Sequence, residues 1–380
     1  MVESQTKLKN RVLSRTKKNF SLSWAVLLIP FLFISFRLAS SSVGGNYASE
    51  KFTNYLDPSY LVSLLGFNSS NIGGIGLTIF IKFIFIALPI ISLTIFEFYN
   101  SKGLFLSKFR DTSLGKIRDS EGYKNADYWY YILYLATSQF QILVVFLTLG
   151  LININYSLET WFHNIYESLV QVPQKGILPS LIMVIAILIS DLIEYAVHRI
   201  QHKVPFLWDL HEFHHSPTEM TLLSKDRGTL LDQVFTFPIF APISTLIALL
   251  INESLKSGFL MPFLIYMLYA FMIIFTEHLG HSSTKVIFPK PISYFWMSPS
   301  LHWIHHSNNP EHYDSNLGMR FPFWDKLFGT YIDETHLEEI YSYGVDDSQY
   351  NKFHPLYSFS ILPVLKIVKR VRYLFNLKSV

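Results

Sequence analysis

The chain contains no cysteine and few charged residues among its 380 positions. The missing thiols exclude a disulfide framework, thiolate zinc sites, iron–sulfur clusters and a cysteine nucleophile, so a bound metal must rely on His, Asp, Glu or Asn. Only 16% of the residues are charged and 50% are apolar, whereas about a quarter of the residues in an ordinary soluble domain are charged. A net charge of +3 is too small for a chain that binds nucleic acid. The composition is typical of a membrane protein.

Six apolar stretches approach the length of about 20 residues that spans a bilayer. They cover residues 20–36, 74–98, 128–152, 177–197, 234–251 and 258–276, and the first and fifth are short. The first follows a basic segment but lacks a clear small-residue cleavage site, so we interpret it as a membrane anchor and not as a signal peptide. The sequence therefore predicts an all-α protein with a multi-pass bundle of membrane helices.

The distribution of Lys and Arg predicts the orientation of these helices, because short cytoplasmic loops carry an excess of both. Six lie in residues 1–20 and six in residues 99–127, against two in residues 37–73 and one in residues 153–176. The N-terminus is therefore expected in the cytoplasm. Followed along the chain, the alternation puts the ends of the fourth and sixth stretches on the same side. Lys82, inside the second stretch, is expected to extend toward the outer face.

Histidines are concentrated in the second half of the chain. Ten of the 14 lie in four motifs, which are HRIQH at 198–202, HEFHH at 211–215, EHLGH at 277–281 and HWIHH at 302–306. Separations of three and four residues place side chains on one face of a helix, as metal binding by several imidazoles requires. An HxxHH pattern should occur by chance only about 0.02 times at this histidine content, so two copies indicate a metal site.

The number of clustered histidines favours two metal ions, since a single zinc site uses only three or four protein ligands. Imidazole binds zinc, copper, iron and nickel, so ligand type leaves the metal open. Asp191 and Glu194 precede His198 by seven and four residues on the same helical face. Metal-bound histidine usually donates its other N–H to a carboxylate, and we expect these two to accept such bonds. Alternatively, they mark the end of the span at the water interface.

The three HRIQH, HEFHH and HWIHH motifs, with Asp191 before them and DSNLG and FWDKLFGTY after them, resemble the sterol desaturase and fatty acid hydroxylase superfamily. The resemblance covers residues 181–332. It implies a non-haem di-iron centre on the cytoplasmic face, within a histidine-rich cap of short helices. The implied metal ligands are His198, His202, His211, His214, His215, His281, His302, His305 and His306, with His278 as a further candidate. Asp314 and Asn316 match a polar pair near the site, although Leu317 stands where an aromatic residue is common.

The resemblance also implies an oxidoreductase, which uses dioxygen and two iron ions to hydroxylate or desaturate a lipid such as a sterol or fatty acyl chain. Residues 1–127 would form an anchor region with two spans and a cytoplasmic loop, residues 128–335 the catalytic domain, and residues 336–380 a basic amphipathic tail. Because no haem, flavin or dinucleotide motif is evident, electrons would come from an external NAD(P)H-linked carrier, either a b-type cytochrome or a ferredoxin with its reductase. The implied location is the endoplasmic reticulum of a eukaryote or the inner membrane of a bacterium.

Two other functions and one structural alternative stay open. A membrane transporter for zinc or iron also carries histidines, but transport sites lie near the bilayer midplane, whereas these motifs lie at span ends. A zinc-dependent lipid hydrolase would use Glu212 as a base, but HEFHH lacks the HExxH spacing. Residues 355–377 mix apolar and basic residues, a pattern typical of a helix on an anionic membrane surface or of a packed terminal helix with a solvated basic face.

Overall fold

A computed structural model describes residues 90–101, 105–119, 176–229 and 257–374, together with residues 127 and 129 and spaced positions between 231 and 254. The chain divides into two compact units, Met1–Asp111 and Thr112–Val380. The first apolar stretch lies outside the described residues, as does the third except for Trp129. Most of the second stretch, including Lys82, also lies outside them. In the first unit, residues 90–100 are helical and helix α1 spans Phe105–Arg110.

The described residues of the second unit form α-helices, 3-10 turns and the segments that connect them. The α-helices are α2 (Ser113–Asp119), α3 (Ile177–Lys203), α4 (Pro205–His215), α5 (Met261–Gly280), α6 (Lys290–Phe295), α7 (Pro299–His305), α8 (Phe323–Phe328) and α9 (Pro355–Leu374). Short 3-10 turns lie at Ser224–Asp226, Pro310–His312, Glu334–Glu339 and Gln349–Asn351. The described residues contain no strand, only one isolated bridge between Ser307 and Tyr343. The all-α prediction is confirmed for this part of the chain.

Helices α3 and α5 are long and apolar enough to cross a membrane. They correspond to the fourth and sixth apolar stretches, and the described positions between 231 and 254 are also helical. One face of α3 packs against α5 and the helical positions between them, with Met183, Ile187 and Tyr269 in the shared core. The opposite faces are apolar and exposed, for example at Ile185 and Leu268, each 54% exposed. A helix that is apolar on its exposed side is suited to contact with lipid.

Proline sets the bend that brings the first two histidine motifs together. Pro205 occupies the first position of α4, where its missing N–H costs nothing, and Val204 before it adopts an extended conformation. Helix α3 therefore ends at Lys203, and α4 starts after a single residue. HRIQH lies on the last turns of α3 and HEFHH on the last turns of α4, so the bend folds one motif onto the other.

Candidate metal centre

Nine histidines from four helix segments converge inside the second unit and form two groups. They come from the end of α3, from α4, from the residue that ends α5, and from α7 with the residue after it. Within each group the potential ligand nitrogens lie within 4.8 Å of one another. The first group is His198, His202, His211, His215 and His305, and the second is His214, His281, His302 and His306. All nine predicted ligands belong to these groups, whereas His278 is buried but belongs to neither.

Each HxxHH motif contributes to both groups. In HEFHH the first and last histidines, four residues apart, join the first group, while His214 joins the second. In HWIHH the pattern is reversed, and only His305 joins the first group. The two groups adjoin, because the ring centroids of His215 and His306 are 4.4 Å apart. Three histidines on one helical turn can therefore serve two neighbouring ions.

The hydrogen-bonded nitrogen of three rings fixes the direction of the other nitrogen. Nδ1 of His198 lies 2.8 Å from the carbonyl oxygen of Leu317, and Nδ1 of His305 lies 2.8 Å from that of Ser315. Nδ1 of His281 is 2.9 Å from the carbonyl oxygen of Glu277. A carbonyl only accepts, so each Nδ1 carries the proton and each Nε2 of a neutral ring presents a lone pair.

The lone pairs of the first group have no protein partner. Among the described residues, the Nε2 atoms of all five histidines in this group are buried without a hydrogen-bond partner. Burying an unpartnered polar atom is costly, and a convergent set of such atoms needs a shared ligand. Metal–nitrogen bonds of about 2.1 Å place ligand nitrogens roughly 3–4 Å apart around one ion. The first group therefore fits a metal ion.

The second group has the same character at closer range. Nε2 of His302 lies 3.2 Å from Nε2 of His281 and 3.0 Å from Nε2 of His306, which in turn lies 3.2 Å from Nε2 of His214. The His281 Nε2 has no proton to donate in the neutral ring, because Nδ1 holds it. Four ring nitrogens at this separation match the ligand spacing around a cation.

Burial keeps these imidazoles neutral, as metal binding requires. It lowers the pKa of His281 to about 3. The histidines of α4, of α7 and of the residue after α7 have pKa values well below the usual range. Burial is the largest cause of this lowering, and neighbouring imidazoles add to it. Protons therefore compete weakly for the ring nitrogens in the folded protein.

The loop after α7 aims the carbonyls that hold two of the rings. Asp314 and Asn316 both have left-handed backbones, with φ of 58° and 49°, a conformation that Asp and Asn tolerate better than other side-chain-bearing residues. The residues that alternate with them, Ser315 and Leu317, point their carbonyls at the histidines. Asp314 itself lies 3.5 Å from Nδ1 of His202. Asn316 fastens the loop by bonding Leu301 and Ile332.

Asp325 supports the same loop from α8 and was not singled out from the sequence. Its carboxylate accepts bonds from the backbone N–H of Leu317 at 2.7 Å and of Gly318 at 2.9 Å. Burial raises its pKa to about 6. The only signal for this role was its place in the FWDKLFGTY segment. The backbone carbonyls that hold the rings had no sequence signal at all, because every residue has one.

Asp191 and Glu194 meet Arg320 in the structure and not a histidine ring. Arg320 is buried and pairs with Glu194, while its Nη2 donates to Glu277 at 2.8 Å. Asp191 accepts a 2.9 Å bond from the indole of Trp324 and lies 3.9 Å from the Arg320 guanidinium. These carboxylates therefore join α3, α5 and the segment before α8 behind the histidine groups.

Glu212, the acid within HEFHH, is directed away from the histidine groups. It accepts a 2.7 Å bond from Ser348 and pairs with Lys366 on α9. Its neighbour on the same face, Asp209, pairs with Arg370 of α9. Helix α4 is thus held by charge on one side while it presents histidines on the other.

The chain is similar to proteins that are named as monooxygenases and hydroxylases. Residues 183–330 match the model of the fatty acid hydroxylase family. Similar proteins include alkylglycerol monooxygenases from Caenorhabditis elegans, 27% identical over 179 residues, and from Homo sapiens, 31% identical over 163 residues. These alignments cover 45% and 43% of this chain and 32% of each relative. The fatty acid hydroxylase vlmA of a Lecanicillium species is 29% identical over 162 residues, 40% of this chain and 42% of its own.

The chain thus aligns with about a third of the alkylglycerol monooxygenases and about two fifths of vlmA. The comparison with solved structures gives no match. The matched segment contains both complete histidine groups.

Proposed function

We propose that the chain is a membrane-bound iron oxygenase that hydroxylates a C–H bond of a lipid. The proposal starts from residues 183–330, which belong to the sterol desaturase and fatty acid hydroxylase superfamily. The observation that carries it is the pair of adjoining histidine groups, one of five histidines and one of four. Relatives named as monooxygenases and hydroxylases favour hydroxylation over desaturation.

Each group would hold one iron ion. When bound, the pair of irons would supply the activation of dioxygen that attack on an unactivated C–H bond requires. In the overall reaction one oxygen atom enters the lipid as a hydroxyl and the other leaves as water, with two electrons and two protons consumed. Because the chain has no evident redox cofactor motif, we assign the electrons to an external carrier, a b-type cytochrome or a ferredoxin with its reductase.

The protein's own part is to hold and shield the ligands. The carbonyls of Ser315, Leu317 and Glu277 accept the Nδ1–H protons and so keep each Nε2 directed inward. Burial of the rings keeps water away from the centre, which suits a reaction on an apolar substrate. Asp314, beside His202, would fix that ring in the same way.

The helix ends support placement of the centre at a membrane face. Helices α3 and α5 both deliver histidines from their C-terminal ends, and the fifth apolar stretch, whose described positions are helical, would supply the return crossing between them. The proposed centre therefore lies at one face of a multi-pass membrane protein, and the basic loops favour the cytoplasmic face. A lipid could reach it from the adjacent leaflet.

The alternative functions fit the geometry less well. In a hydrolase Glu212 would have to face the metal, but it is engaged with Ser348 and Lys366. A transporter site would sit between helices at mid-membrane depth, whereas these ligands lie at and beyond helix ends.

The test is lipid oxidation by the purified full chain. The protein in lipid nanodiscs, loaded with iron and supplied with a ferredoxin, its reductase and NADPH, is given isotope-labelled dioxygen and candidate substrates: an ether glycerolipid, a fatty acid and a sterol. We expect labelled hydroxyl in one substrate class, and loss of it in His214→Ala and His305→Ala, one from each group. His354→Ala, an exposed histidine on the segment before α9, is the matched control. Zinc alone in the protein, with no oxygen uptake under iron loading, would overturn the proposal.

A further inference from the structure

Helix α9 (Pro355–Leu374) turns two of its basic residues inward and a row of apolar residues outward. Lys366 and Arg370 point toward α4, where Lys366 pairs with Glu212 and the Arg370 Nη2 donates to Asp209 at 2.9 Å. Both carboxylates are buried on α4. These two basic residues, which were expected on a solvated or membrane-facing surface, thus form ion pairs with α4.

The outer face of α9 forms a continuous apolar stripe. Its members recur at helical spacing and are between 41% and 50% exposed: Ile361, Val364, Leu365, Val368 and Val371. A helix packed on the surface of a soluble domain shows a polar outer face, whereas α9 is apolar both on this outer face and on its buried side, where Phe359 and Leu362 lie in the core. This apolar stripe needs a covering medium.

Exposed positive charge borders the stripe. Lys369 lies beside it and Arg372 lies at its C-terminal end, and no acidic residue occurs between Pro355 and Val380. An apolar face bordered by cations fits the interface of a bilayer that contains anionic lipid. A protein partner would have to supply both an apolar groove and acidic edges.

The neighbouring elements lead to the same medium. Helix α9 packs on α4, and α4 follows the membrane-length helix α3 after one residue. Around that junction Ile200 is 49% exposed and Phe206 is 40% exposed. Apolar exposed surface is therefore present on α3, on the start of α4 and on α9.

We propose that the apolar stripe of α9 inserts into the interface of an anionic bilayer, so that α9 is a membrane-bound brace on the helix that carries His211, His214 and His215. The brace holds α4 through the Arg370–Asp209 and Lys366–Glu212 pairs, while its outer face lies in lipid. This inference concerns only membrane contact and does not depend on the proposed chemistry.

The absence of cysteine allows a clean test. The single substitution Val368→Cys is labelled with an environment-sensitive fluorophore, and the full chain is placed in nanodiscs that contain anionic lipid and a spin-labelled quencher lipid. Ile361→Cys on the same stripe provides a second probe should the first variant fold poorly. Glu338→Cys, exposed on the Glu334–Glu339 turn, is the matched control.

We expect blue-shifted emission and several-fold stronger lipid quenching at positions 368 and 361 than at 338. The double change Lys369→Glu and Arg372→Glu should reduce the quenching in anionic nanodiscs and have less effect in zwitterionic ones. Water-like, unquenched emission would overturn the proposal. So would blue-shifted emission without lipid quenching, since another segment of the chain or a second copy would then cover the stripe.

Discussion

Replacing Asn316 with Ala should disrupt the first histidine group without touching a ligand. The Asn316 side chain donates to the carbonyls of Leu301 at 3.2 Å and Ile332 at 3.0 Å, and accepts from the Ile332 N–H at 3.0 Å. Its backbone is left-handed at φ 49°. The loop it fastens carries the carbonyls of Ser315 and Leu317, which orient His305 and His198.

The expected loss of stability is about 4 kcal/mol. Three hydrogen bonds contribute about 1 kcal/mol each, and a side-chain-bearing residue without a local hydrogen bond costs about 1 kcal/mol more in the left-handed region. Asn316→Gly should lose the same bonds but be about 1 kcal/mol more stable than Asn316→Ala, because glycine adopts positive φ without strain. In both variants we expect iron to be lost from the first group.

The assay pairs thermal unfolding in detergent with iron per chain after metal loading. Asp347→Ala is the matched control, since Asp347 also has positive φ at 54° but an exposed side chain. It should lose about 1 kcal/mol and keep its iron. Wild-type stability and full iron content in Asn316→Ala would refute the role assigned to the loop.

Three further outcomes are expected. Arg370→Ala should destabilise the protein by about 1–3 kcal/mol in thermal unfolding, because the buried Asp209 carboxylate loses two charged hydrogen bonds and keeps only Lys366, at 3.9 Å, while Arg372→Ala in detergent should have little effect; equal effects would argue against the brace. Metal-free protein should lose stability as pH falls below about 6.5, because the imidazoles then bind protons in the unfolded chain but stay neutral in the folded protein, where their pKa is lowered. For His281, whose folded pKa is about 3, this loss is about 1.4 kcal/mol at one pH unit below the unfolded pKa and continues toward pH 3, and a flat unfolding profile from pH 7 to pH 5 would contradict it. His278→Ala should keep the full iron content, because His278 lies outside both groups, and loss of one ion on metal analysis would make it a ligand.

Helical periodicity carries most of what the sequence could predict about the site. Spacings of three and four residues identify the histidines that share a helical face, and all nine predicted ligands do converge. The distribution of each motif over two groups depends on how α4 and α7 approach each other. That approach is set by packing between residues about 90 positions apart, such as His214 and His306, which no local pattern encodes.

The contacts around the ligands were less predictable for the same reason. Seven- and four-residue spacing suggested that Asp191 and Glu194 would accept from a histidine, but Arg320, more than 120 residues away, lies closer to their oxygens. The composition of residues 355–377 predicted an amphipathic basic helix, and Pro355–Leu374 is helical, but no local pattern showed which face the cations occupy. Lys366 and Arg370 turn inward because two carboxylates on α4 are buried there.

The most direct test of the central claim is the metal content and coordination of the iron-loaded full chain. We expect two iron ions per chain, with X-ray absorption dominated by imidazole nitrogen, and reduced iron in both His214→Ala and His305→Ala. A single ion per chain, or iron that survives both substitutions unchanged, would contradict the assignment of one ion to each histidine group.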